Sequence, residues 1–131
     1  MRPTIAGTAL LLALSLAACS EDKPAVCSSV GDLEASVNDV RKVDVASSGG
    51  LAEVRTGLRT VKSDLAEVKT DAESEFSSQL DRVEASYATL TSSVEAARTG
   101  PSGATLTAVG SSLRTFGNDV QALISDVKAT C

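Results

Sequence analysis

From Val30 to Val127, apolar side chains return at alternating intervals of three and four residues. That rhythm is the seam of packed α-helices; a strand cannot use it, because strand side chains repeat every two residues. Three stretches carry it. The first, about 28–45, presents Val30, Leu33, Val37 and Val40. The second, about 51–98, presents Leu51, Val54, Leu58, Val61, Leu65 and Val68, then Leu80, Val83, Tyr87, Leu90 and Val94. The third, about 104–129, presents Leu106, Val109, Leu113, Phe116, Val120, Leu123 and Val127. Two breaker clusters separate the stretches: Ser47-Ser48-Gly49-Gly50 and Thr99-Gly100-Pro101-Ser102-Gly103. The fold expected is all-α, built of antiparallel coiled-coil-like helical hairpins.

The chain has no Trp, one Tyr and two Phe, so its core must come from Leu, Val and Ala, which suits thin helical packing. Phe76 and Tyr87 hold seam positions and read as core, with a small pocket between them as the other reading. Gly103, Gly110 and Gly117 recur every seven residues beside the third seam. An interior glycine costs a helix up to about 1 kcal/mol. These three read as points of close backbone approach, with a groove for a partner as the alternative. The many serines read as polar helix surface. Arg55, Lys62 and Lys69 line one flank of the second stretch, and Asp64 and Asp71 the other. Glu34 is expected to face Lys62 across the first hairpin. Exposed charges of this kind mainly help to select register.

Ahead of the helices stands a different kind of segment. Arg2 precedes an apolar run from Ile5 to Ala18, short of the roughly 20 residues a bilayer span requires. A basic start, an apolar run and a small-residue end have the form of a secretory signal. The run closes Leu16-Ala17-Ala18-Cys19, which resembles the lipobox of bacterial lipoproteins. That resemblance implies cleavage between Ala18 and Cys19 and transfer of a diacylglyceryl group to the Cys19 thiol. The organisation expected is a signal at 1–18, a lipidated cysteine and tether at 19–26, and a helical domain at 27–131. Two acyl chains suffice for stable membrane attachment, so the chain is expected outside the cytoplasm, held by lipid to a bacterial membrane. This means the outer face of the cell membrane, or an outer membrane where the envelope has two.

An exported chain meets an oxidising compartment, where a pair of cysteines usually bridges. Cys27 and Cys131 remain after Cys19, and a disulfide between them is expected. It also tests the helix layout. If each breaker cluster makes a hairpin, Cys27 and Cys131 both come level with the middle of the second stretch. Two architectures satisfy this. In one, the second stretch is a continuous helix of about 48 residues, roughly 72 Å long, with the two shorter helices folded back along its halves. In the other, the chain turns near 70–76 and makes an up-down-up-down four-helix bundle. Ala72, Phe76 and Leu80 are four apart, a stutter in the heptad. Thr70, Asp71, Ser74, Ser77 and Ser78 are weak helix formers. No Gly, Pro or Asn marks a tight turn there, and the long helix about 51–98 is the expected form.

Chemistry finds little footing. The chain lacks His, which removes the usual imidazole base and metal ligand. Asp71, Glu73 and Glu75 lack the spacing and central Gly of a calcium loop. There is no nucleophile elbow and no phosphate-binding loop. The net charge of −5, more negative once Arg2 leaves with the signal, argues against a nucleic-acid partner. No enzyme activity, cofactor or metal is expected. The expected role is a membrane-anchored structural or protein-interaction module of the cell envelope, touching an envelope protein or a second copy of itself. In style alone the heptads resemble the major outer-membrane lipoprotein of enteric bacteria; the terminal Lys that links that family to the cell wall is absent, since this sequence closes Ala-Thr-Cys. The alternative role is a ligand-binding or sensory helix bundle holding a small apolar molecule, which requires the four-helix form.

Overall fold

A computed structural model describes residues 25–72 and 74–131. Four α-helices account for most of them: α1 (Ala25–Arg41), α2 (Gly50–Asp71), α3 (Ser77–Thr99) and α4 (Gly103–Lys128). The all-α expectation holds, and no strand occurs among the described residues.

The breaker clusters act as their residues dictate. Asp44 organises the α1–α2 loop: its side chain accepts from the Ala46 amide at 3.0 Å, and its carbonyl accepts from the Ser47 hydroxyl at 2.6 Å. Gly49 then takes φ 80, a left-handed conformation open to glycine at little cost. Gly50 starts α2 against the Asp44 carbonyl, where any Cβ would collide. At the other breaker, Ser102 and Thr105 form a reciprocal capping box that opens α4 and satisfies amides left free at a helix start.

The continuous helix over 51–98 does not form; the four-helix alternative does. α2 ends at Asp71, Ala72 turns extended (φ −74, ψ 145), and a single 3-10 turn at Ser74–Phe76 leads into α3. The reversal is shown by pairs that run in opposite senses along α2 and α3: Arg55 with Glu95 and Lys69 with Glu84. Burial supplies the reason. A long rod exposes one side of every seam, whereas in a square of helices each seam meets two neighbours. The turn is closed from inside by Phe76, which is 6% exposed, so the stutter Ala72–Phe76–Leu80 marks a fold-back.

The topology is up-down-up-down. α1 packs along α2, α3 along α4, and α4 returns beside α1. Val26, Val30, Leu33, Val37 and Val40 of α1 are buried with the seams of the other three helices in one core. Two details differ from the narrow seams of the sequence. Ser29, Ser36 and Ser86, expected at the surface, are buried; they widen the inward faces where a larger side chain would hold the helices apart. Glu34 meets Lys128 of α4 at 2.7 Å, rather than Lys62, because α1 borders α4 as well as α2.

The glycines of α4 also depart from expectation. A Cβ added at Gly103 or Gly110 would meet nothing within 4 Å, while one at Gly117 would stand 3.3 Å from Cδ of Arg41, whose side chain lies across it. A close approach between helices occurs instead at Gly57 of α2, where a Cβ would stand 2.6 Å from Val40 Cγ2.

Candidate functional site

Three features of the bundle meet at one end: the start of α1, the 72–76 connection and the end of α4. Cys27 and Cys131 face each other there at disulfide distance, with Cα atoms 6.2 Å apart. The Ser29 hydroxyl donates to the Asp71 carboxylate, fixing the start of α1 against the end of α2. Ala18 and Cys19, where signal cleavage and lipidation are expected, lie outside the described residues, as does Glu73 of the acidic trio. Of the residues expected to form a tether at 19–26, only Ala25 and Val26 are among the described ones. Ala25 and Val26 already belong to α1, and Val26 is 2% exposed, because it falls one helical turn before Val30 on the same face.

Each hairpin carries polar contacts on its seam. Between α3 and α4 they form a ladder of heptad spacing: Gln79 donates to Asp126, Ser86 to Asp119, and Ser93 meets Ser112 at 2.8 Å. A shift of either helix by one residue would break every rung. The ladder was missed in the sequence because its serines and acids look individually like solvated surface. The shared heptad spacing of 79, 86 and 93 against 112, 119 and 126 was the signal that could have found it.

The α2–α3 side is more open. A crevice runs along it as a succession of hollows of about 160, 270 and 200 Å³. Leu58, Leu65, Leu80, Tyr87 and Val94 reach its floor. Tyr87 is half-buried, donates its hydroxyl to the Leu58 carbonyl at 3.0 Å and sets its ring edge-on to Phe116, centroids 5.9 Å apart. Burial raises the Tyr87 phenol above its ordinary pKa. Phe76 lines none of these three hollows; it is buried in the core and Tyr87 packs against that core, as their seam positions suggest, and the alternative of a small pocket shared by the two is not formed.

The two walls of this crevice differ in sign. Arg55, Arg59, Lys62 and Lys69 project from α2, and Asp81, Glu84 and Glu95 from α3. Two pairs already bridge it: Lys69 with Glu84 at 2.9 Å and Arg55 with Glu95 at 3.5 Å. The Glu84 hydrogen bond, with its charge, holds the Lys69 ammonium above the usual lysine range. Arg59 and Lys62 form no ion pair among the described residues. Arg55, Lys62 and Lys69 are the flank already visible in the sequence; Arg59 joins them, and the wall they form faces an acidic one.

Elsewhere, Arg41 and Arg114 border a hollow of about 280 Å³ floored by Val43, Val45, Gly110 and Leu113. It lies at the opposite end of the bundle from Cys27. Hydroxyls of Ser86, Thr89, Ser111, Ser112 and Thr115 surround another between α3 and α4. Among the described residues no group of three or more His, Cys, Asp or Glu is placed to hold a metal ion, and no helix is long and apolar enough to cross a membrane. All these hollows are surface crevices, below the roughly 300–1,000 Å³ of typical small-molecule pockets.

Comparison with protein-family models, with curated proteins and with solved structures gives no match for this chain.

Proposed function

We propose that this chain is an exported lipoprotein, held to a bacterial membrane through Cys19, whose helical bundle serves as a protein-interaction module of the cell envelope. The observation that carries the reading is a juxtaposition. The lipobox Leu16-Ala17-Ala18-Cys19 lies shortly before α1, and α1 begins at the clasped end of a bundle whose surface offers charged crevices. On this reading the clasped end stands next to the membrane. The α1–α2 and α3–α4 loops point away, about 35 Å out by the helix rise. Lipid supplies the attachment, and the crevice walls supply recognition by charge and shape.

Mass spectrometry of the N-terminal peptide from membranes tests the anchor. A peptide starting at Cys19 and carrying a diacylglyceryl group is expected, and Cys19→Ser should release the chain from the membrane fraction. An unmodified Cys19 in the mature protein would overturn the anchor. Cross-linking on intact cells tests the second half. Products containing this chain and an envelope protein, or two copies of the chain, are expected; a chain that stays uncross-linked rejects the interaction role.

A further inference from the structure

We propose that the α2–α3 crevice is a self-association surface, which joins two copies of the chain about a two-fold axis parallel to the helices. This deepens the interaction-module reading and rests on it. The charge layout of the crevice carries the inference. Arg55, Arg59, Lys62 and Lys69 form the α2 wall, and Asp81, Glu84 and Glu95 the α3 wall.

A two-fold axis parallel to the helices, passing in front of the crevice, lays α2 of one copy against α3 of its partner at equal height. Heights are fixed by the pairs within the chain: Arg55 is level with Glu95, and Lys69 with Glu84. Each basic wall therefore meets an acidic wall, and the bridges seen within one copy can be shared across two. Arg59 shares a hollow with Glu95, and Lys62 with Glu84; neither cation is paired within the described chain, and each reaches along the strip, from a height between those two acids, toward the same carboxylates of the second copy. A two-fold across the helices would instead set α2 against α2, cation facing cation, which is unfavourable. Tyr87 and the arginines are residue types enriched in the cores of interfaces.

The axis direction also suits anchored chains. Copies held by the same end in one membrane keep their helices pointing the same way, and only an axis along the helices preserves that. The strip is about 25 Å long by the helix rise. Confinement in a membrane raises effective concentration and favours so small a contact.

The test uses full-length chains carrying two different tags, co-expressed, with capture on one tag and detection of the other. A zero-length carbodiimide cross-linker then reports Lys–carboxylate contacts between copies. One variant inverts the α2 wall (Arg55→Glu, Arg59→Glu, Lys62→Glu, Lys69→Glu). The other inverts the α3 wall (Asp81→Lys, Glu84→Lys, Glu95→Lys). Wild-type copies are expected to capture one another. Each inverted variant should capture itself at least about tenfold less, a shift of about 1.4 kcal/mol. Co-expression of the two inverted variants should restore wild-type capture, because every wall again meets its opposite. That recovery also shows that both variants fold. Failure of the wild type to self-associate, self-capture by either inverted variant at the wild-type level, or lack of recovery in the mixture would overturn the proposal. Capture is read in whichever fraction holds the chain, so absence of lipid on Cys19 does not register as absence of the dimer.

Discussion

Gly57 of α2 and Gly110 of α4 sit in opposite surroundings, and the same substitution should move stability in opposite directions. At Gly110 a Cβ meets nothing within 4 Å. Gly110→Ala is expected to stabilise by about 0.5–1 kcal/mol, the helix-propensity gain alone. At Gly57 the added carbon would lie 2.6 Å from Val40 Cγ2. Val40 is 2% exposed and β-branched, so it has little freedom to turn aside. Overpacking costs about 1–3 kcal/mol and should exceed the propensity gain, leaving Gly57→Ala less stable by about 1 kcal/mol. Urea midpoints of the two variants decide the matter; a rise for both would show that Val40 yields. Tyr87 gives a second test at this scale. Its phenol is neutral and half-buried, with a folded-state pKa above the ordinary value of 10.0. A group shifted this way contributes stability that is fully present below the unfolded pKa and is lost as pH rises through the folded one. Stability should therefore fall as pH climbs past about 10, and Tyr87→Phe should lessen that fall. As the sole Tyr in a chain without Trp, it can be titrated directly by near-ultraviolet absorbance; ionisation at the ordinary tyrosine pH would contradict its burial.

At the scale of elements, the seams of all four helices were legible in the sequence, because alternation of three and four residues leaves strands no place. The break between α2 and α3 was only half legible. Phe76 keeps the apolar pattern unbroken through the turn, and no Gly or Pro interrupts it. The turn is made by an extended Ala72 and a 3-10 turn closed by a buried aromatic, and tertiary burial decides it against local helix propensity. The buried serines were illegible for the opposite reason. Ser86 resembles surface until its partner is known. Its hydroxyl donates to the Asp119 carboxylate, and Asp119 is itself partly covered. Ser86→Ala would leave that carboxylate short of a donor, at a cost of about 1–3 kcal/mol. Ser92, exposed on the same helix, should tolerate alanine within about 0.5 kcal/mol. A double-mutant cycle of Ser86→Ala with Asp119→Ala should return a coupling above about 0.5 kcal/mol. Additive effects would mean that the ladder does not set the register of α3 on α4.

For the whole molecule, the covalent clasp and the core do different jobs, and reduction should separate them. The four seams close around a single apolar core from Val26 to Val127, so the native bundle does not depend on sulfur for its packing. The bridge spans a sequence separation of 104 residues, nearly all of the described chain, and acts mainly on the unfolded state by denying it extended conformations. In the chain-entropy picture a loop of this size is worth up to about 5 kcal/mol, and removal of a native bridge from a small exported domain costs about 2–5 kcal/mol. The double variant Cys27→Ser/Cys131→Ser should keep the helical circular dichroism of the parent at 25 °C but unfold at lower urea. Its denaturant slope should also steepen, because an uncrosslinked unfolded chain exposes more surface. Reductant should reproduce both changes in the parent and neither in the double variant. The sequence already required Cys27 and Cys131 to arrive at one height, and in either candidate architecture that requirement could be met. Only the four-helix form puts them at an end of the molecule, where loss of the bridge frees the first turn of α1 and the last of α4. Amide exchange after reduction should accordingly quicken first near Ala25–Val30 and Ile124–Lys128, with the middle of α3 last. Uniform acceleration along all four helices would mean that the clasp supports the core itself, and that bridge and core do not divide the work.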